Sequence, residues 1–125
     1  MKRVFIILMC AALCLNASAA SKKAKSFVVN TEKLGKEVMG YAGTTPVEIH
    51  VVDGKIDKIV ALPNAETPSF FQKVLDSPIF TALNGKTVQE AAKVKLDAVS
   101  GATYSSKAVI ENISLGLKEA AKKAK

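Results

Sequence analysis

The chain has 125 residues, 49% of them hydrophobic, with 18 Lys and Arg against 11 Asp and Glu for a net charge of +7. That balance describes one small globular domain and excludes a disordered, collagenous or two-domain chain.

Residues 1–20 begin with Lys2 and Arg3, run through the apolar stretch 4–15 and close on Asn16, Ala17, Ser18, Ala19 and Ala20. A basic start, an apolar middle and small residues in that order mark a secretory signal peptide, cut near Ala19 or Ala20. Leu13 stands before Cys14 where a lipoprotein signal needs a small residue, so lipidation is not expected. The apolar stretch is short of the roughly 20 residues that span a bilayer. No transmembrane helix is expected in the mature chain; an uncleaved anchor is the alternative. Cys10 and Cys14 both lie in the peptide, which leaves no thiol for disulfides, metal binding or nucleophilic catalysis. Without Lys2 and Arg3 there are 16 basic and 11 acidic side chains, a net +5. About 105 residues remain, enough to bury roughly 60 to 70 per cent of the unfolded surface in one core.

Residues 21–39 read as a lysine-rich linker and N-terminal segment. Lys22, Lys23 and Lys25 stand among small residues ahead of Phe27, Val28 and Val29. Thr31 as N-cap, Leu34 and Val38 on one face and Gly40 as a stop predict a short helix over 31–39. Next come Tyr41, Ala42 and Gly43, then 46–52, Asp53-Gly54 and 55–62. Asp-Gly between β-branched runs predicts a β-hairpin with a type I′ turn, whose two central residues need positive φ. Alternation sets Val47, Ile49 and Val51 on one face and Glu48 and His50 on the other, as in a sheet covered on one side by helices.

Thr67 as a cap and Pro68 at the first helical position predict a helix from Pro68 to about Leu75, with Phe70, Phe71 and Val74 on its apolar face and Pro78 beyond its end. Asn84-Gly85 marks a turn before a short helical segment at 88–92 and a strand-like segment at 93–96. The last helix is expected from about Ser105 or Ser106 to Lys122. Ile110, Ile113, Leu117 and Ala121 fall at helical spacing, and Lys118, Lys122 and Lys123 sit toward the end that favours cations. The fold class is α+β, a mainly antiparallel sheet packed by helices.

Between residues 93–96 and the last helix lie Asp97, Ala98, Val99, Ser100, Gly101, Ala102, Thr103, Tyr104, Ser105 and Ser106. Gly101 lets backbone approach a ligand, Ala102 adds little bulk, and the first N–H groups of the helix are unpaired donors that favour an anion. This makes a phosphate site. Read as architecture alone, Ser105 or Ser106 caps the helix and Gly101 turns the chain.

Asp97, Ser100, Gly101, Ala102 and Thr103 resemble the D-x-x-[ST]-G-A-T signature of the secreted FMN-binding domain. That domain occurs in the flavin-carrying C and G subunits of sodium-pumping and Rnf-type redox complexes and in many small extracytoplasmic proteins. The likeness extends over Gly40-Tyr41-Ala42-Gly43, the hairpin around Gly54-Lys55-Ile56, Glu66-Thr67-Pro68 and the helix after Thr103. Tyr104 departs from it, since many members have a small or aliphatic residue there. The chain also lacks the membrane helix of the pump subunits. On this resemblance residues 40–125 are an FMN-binding domain with Thr103 joined to FMN by a phosphoester bond. Asp97, Ser100, Gly101 and Ala102 surround that acceptor.

The resemblance also implies a separate exported flavin transferase that cleaves FAD and leaves FMN on Thr103. A threonine hydroxyl is a weak nucleophile without a base, and the only histidine, His50, is far away in sequence. Tyr41, Phe70, Phe71, Leu83 and Tyr104 are candidates for an apolar bed under the ring, with Glu66 and Thr67 for its polar edges and Ser105 beside the acceptor. Most of these also read as plain core or cap residues. His50 lacks companions for a metal site. The lysines gather at the two ends, a solvated distribution, so no nucleic acid is expected. They suit acidic redox partners or an anionic membrane surface.

The expected function is electron transfer outside the cytoplasm, periplasmic or extracellular and peripheral to the membrane, by a carrier more than a self-sufficient enzyme. Two other readings stand beside it. One is the flavin-bearing electron-input module of a secreted reductase complex, and the other a non-redox secreted ligand-binding module.

Overall fold

The computed structural model describes residues 26–123. Residues 1–20, expected to be a signal peptide and carrying both cysteines, and residues 21–25 of the expected linker lie outside the described residues.

Three strands, β1 (Ser26–Asn30), β2 (Val47–Val52) and β3 (Lys55–Ala61), form an antiparallel sheet in the order β1-β2-β3. At the hairpin tip Asp53 has φ 52° and Gly54 φ 79°, so both central residues take the positive φ that the turn requires. Alternation buries Val47, Ile49 and Val51 completely. In β3 the buried pair is Ile56 and Ile59, three apart, which strict alternation would put on opposite faces. A bulge resolves this: His50 faces Lys58 and Val51 faces Ile56, leaving Asp57 as the extra residue.

Three helices follow: α1 (Pro68–Leu75), α2 (Val88–Ala91) and α3 (Thr103–Lys123), with a 3-10 turn (Pro78–Phe80) after α1. Pro68 sits where a helical N–H has no partner to lose. Thr67 occupies the N-cap position of α1, but its side chain caps nothing; its carbonyl accepts from Phe70 N and Phe71 N instead. For α2 the capping box is complete, with Thr87 Oγ1 accepting from Glu90 N and Glu90 Oε1 accepting from Thr87 N. The long helix α3 lies on β2 and β1 and covers the sheet. Val109, Ile113, Leu117 and Ala120 are buried in it, with Ile110 and Ala121 half-buried. Close approach is possible at Gly116, where a Cβ would stand 2.6 Å from Ile49 Cδ1. Among the described residues no helix is long and apolar enough to cross a membrane.

Four local expectations need correction. Residues 32–37 form turns and no helix. Only Gly35 N to Thr31 O spans four residues, and the bonds from Lys36 and Val38 span three. Tertiary contacts override the weak helical pattern. Thr31 is buried because its N–H donates to Val47 O while its Oγ1 accepts from Val47 N, which extends the β1–β2 ladder by one residue. Gly35 is pressed against Asn112, and a Cβ there would stand 1.9 Å from Asn112 Oδ1.

Residues 93–96 alternate in exposure as a strand would, yet belong to none. Part of the hydrogen bonding beyond β3 is taken by the chain around 85–88, through Ile56 N to Lys86 O, Gly85 N to Ile56 O and Val88 N to Gly54 O. Helix α3 starts at Thr103, ahead of the expected Ser105 or Ser106, so both serines are buried in its first turn. Phe70, assigned to the apolar face of α1, is 46% exposed, whereas Phe71 and Val74 are buried.

Candidate functional site

The loop 97–102 delivers the chain to α3 by a tight turn. Gly101 has φ 85°, a conformation that favours glycine. Ala102 N donates to Val99 O, and Ala102 O accepts the first helical bond from Ser106 N. Ser106 Oγ locks the turn from inside, accepting from Val99 N at 2.9 Å and donating to Ala102 O at 2.8 Å. Ala102 has no side-chain oxygen to cap the helix. The N–H groups of Thr103, Tyr104 and Ser105 therefore precede the first intrahelical donor, Ser106 N, and carry the positive end of the helix dipole.

Those residues line a cleft of about 360 Å³ with Tyr41, Phe70 and Gly101. Thr103 is exposed there. Tyr41 and Tyr104 stack with ring centroids 6.5 Å apart and planes 28° apart, and both are largely exposed. Lys73, one helical turn beyond Phe70, reaches over the loop. Its Nζ lies 3.2 Å from the position a Cβ on Gly101 would take and 6.0 Å from the Phe70 ring centroid.

Glu66 holds the two sides of the cleft together. It is 5% exposed. Oε1 accepts from Tyr41 N at 2.9 Å and from the Ser105 hydroxyl; Oε2 accepts from Ala42 N at 2.6 Å and Gly43 N at 3.0 Å. Burial pushes its pKa up, but the Ser105 hydroxyl and the three backbone N–H groups outweigh this and hold it below the ordinary value. The loop carrying Tyr41 is thus tied to the first turn of α3.

Of the residues singled out from sequence, Tyr41, Phe70, Gly101, Ala102, Thr103, Tyr104 and Ser105 come together in the cleft, with Glu66 behind it. Asp97, Ser100 and Thr67 are exposed and do not line it. Phe71 and Leu83 belong to the core. His50 faces away from the helices, 3.2 Å from Glu48 Oε1. Among the described residues no cluster of three His, Cys, Asp or Glu is placed to hold a metal. Lys73 was missed, although its spacing of three from Phe70 puts both on one side of α1.

Aromatic walls, unpaired N–H groups, a lysine and an exposed hydroxyl suit a flat aromatic ligand that bears a phosphate. Comparison with known proteins agrees with this chemistry. No curated protein matches the chain in sequence. The family described as FMN-binding domain matches residues 40–118, more than half of the chain, leaving only β1 of the sheet outside. The matched residues include every group that lines the cleft, and the chain belongs to the FMN-binding domain family.

Proposed function

We propose that the chain is an extracytoplasmic electron-transfer flavoprotein carrying FMN on Thr103 through a phosphoester bond. The observation that carries this reading is the exposed Thr103 hydroxyl at the unpaired N-terminus of α3, inside an aromatic-walled cleft. The N–H groups of Thr103, Tyr104 and Ser105 would hold the phosphate, with Lys73 adding a positive charge beside Gly101. Tyr41, Phe70 and Tyr104 would flank the ring and restrict its contact with water. Bound flavin supplies reversible electron transfer, while the protein supplies placement and electrostatics.

No base is hydrogen-bonded to the Thr103 hydroxyl among the described residues, so this chain does not activate its own acceptor. A separate flavin transferase fills that role. The Thr103 oxygen bonds to the FMN phosphorus of FAD, the pyrophosphate bridge breaks with AMP leaving, and the hydroxyl proton is released. The basic, apolar and small-residue order of residues 1–20 supports export. Redox partners outside the cytoplasm follow from that location.

The test is to co-express the chain with a flavin transferase, denature it, and record intact mass and visible absorbance for wild type and Thr103→Ala. Wild type heavier by FMN less water, with colour and adduct absent in the variant, is expected. An unmodified wild type beside a flavinylated control substrate would overturn covalent carriage and favour a non-redox binding module.

A further inference from the structure

A second cavity, of about 640 Å³, opens along the later turns of α3 and shares no lining residue with the Thr103 cleft. Its floor is the core itself: Leu83, Val88 and Ile113 line it and are each 1% exposed to solvent. Along α3 the lining runs from Ile110 to Ala121, about 16 Å at the helical rise. No aromatic residue lines it, so it offers no surface on which a flat ring could stack. The interior is aliphatic.

The rim has the opposite character. Lys93, Lys95 and Lys118 line the cavity, all exposed, and no Asp or Glu does. None of the three lysines has an ion pair among the described residues; Glu119, next to Lys118, lies near Lys122 instead. The wall that carries Lys93 and Lys95 belongs to no sheet, and Val94 and Leu96 of the same segment pack half-buried against the core. An elongated aliphatic slot bordered by three exposed lysines without ion pairs fits one kind of small ligand: an alkyl chain ending in an anion.

We propose that this cavity is a binding site for a medium-chain fatty acid, with the alkyl chain between residues 91–96 and α3 and the carboxylate among Lys93, Lys95 and Lys118. The site is independent of the flavin and is testable on the full chain. Laurate, decanoate and dodecanol, each below its aggregation threshold, would be titrated into the protein by calorimetry. Laurate should bind saturably at one site. Decanoate should bind about fifteenfold more weakly, as removal of two buried methylenes requires. Dodecanol, which lacks the charge, should bind at least about tenfold more weakly than laurate.

The combined variant Lys93→Glu, Lys95→Glu and Lys118→Glu changes only exposed positions and should lose laurate binding by at least about tenfold. Ser114→Trp, an exposed position that lines the cavity, should block laurate with an unchanged circular dichroism spectrum. Absence of saturable binding, equal affinity for laurate and decanoate, or undiminished binding by the lysine variant would each overturn the proposal. So would binding to phosphatidylglycerol vesicles without binding of monomeric laurate, which would make the lysines a membrane-facing patch.

Discussion

The Ser105 hydroxyl donates to Glu66 Oε1, so the first turn of α3 and the loop before β2 share one carboxylate. That carboxylate accepts four hydrogen bonds, two at each oxygen. Glu66→Gln keeps the shape but offers one acceptor oxygen, leaving two donors facing an amide nitrogen. The expected loss is about 1–3 kcal/mol of stability, seen in thermal or denaturant melts.

The same carboxylate makes stability depend on pH. Its folded pKa lies below the ordinary value of 4.5, so the folded state binds the proton more weakly than the unfolded chain. The stabilisation is present above pH 4.5 and is lost as pH falls through the folded value. Melts from about pH 6 to about pH 3 should show a steeper acid decline for wild type than for Glu66→Gln. Parallel curves would remove Glu66 from the account.

Thr31→Val should cost about 1–3 kcal/mol although the two side chains are nearly the same size. The change removes the Oγ1 that accepts from Val47 N at 2.9 Å and leaves that N–H buried without a partner. Equilibrium unfolding in urea measures the loss. A change under about 0.5 kcal/mol would place the site among neutral substitutions.

Gly101→Ala forces a Cβ onto a residue at φ 85°, at an expected cost of about 1–2 kcal/mol. The added methyl would also stand 3.2 Å from Lys73 Nζ, a flexible side-chain end that can move away. The strain therefore dominates. Gly116→Ala acts by a different route, crowding Ile49 Cδ1 at 2.6 Å in the packed interface of α3 and β2, and should cost about 1–3 kcal/mol.

Tyr41→Ala and Tyr104→Ala should leave the fold within about 0.5 kcal/mol of wild type, since both side chains are mostly exposed. On the proposed function they flank the ring, and a phenol stacked on a flavin quenches its fluorescence. Each variant carrying FMN should be brighter than wild type at equal loading. Unchanged emission would place the ring elsewhere in the cleft.

Where a local signal coincides with the tertiary demand, sequence reading succeeds here. Asp53-Gly54 needs positive φ at two positions and has it, and Pro68 fixes the start of α1 to the residue. The C-terminal helix follows from its spacing of apolar residues. Two of the misses share a cause: Thr31 and Gly35 have the right local pattern, but partners distant in sequence decide their conformation, Val47 for Thr31 and Asn112 for Gly35. For 93–96 the alternation was present and a neighbouring strand was not. Part of the site was equally local, since 100–106 lies in one continuous stretch. The tie from Glu66 to Ser105 crosses 39 residues, and nothing in the pattern around either residue announces it.

Among the described residues helix α3 is the last element, yet it covers a sheet whose three strands end at residue 61. Every strand pair joins neighbours, so the meander assembles early and locally. Its inner face, with Val47, Ile49 and Val51, remains wet until Val109, Ile113 and Leu117 arrive. A chain emerging N-terminus first leaves that face open until α3 has been released, so agents that hold nascent chains have their longest opportunity before that helix appears.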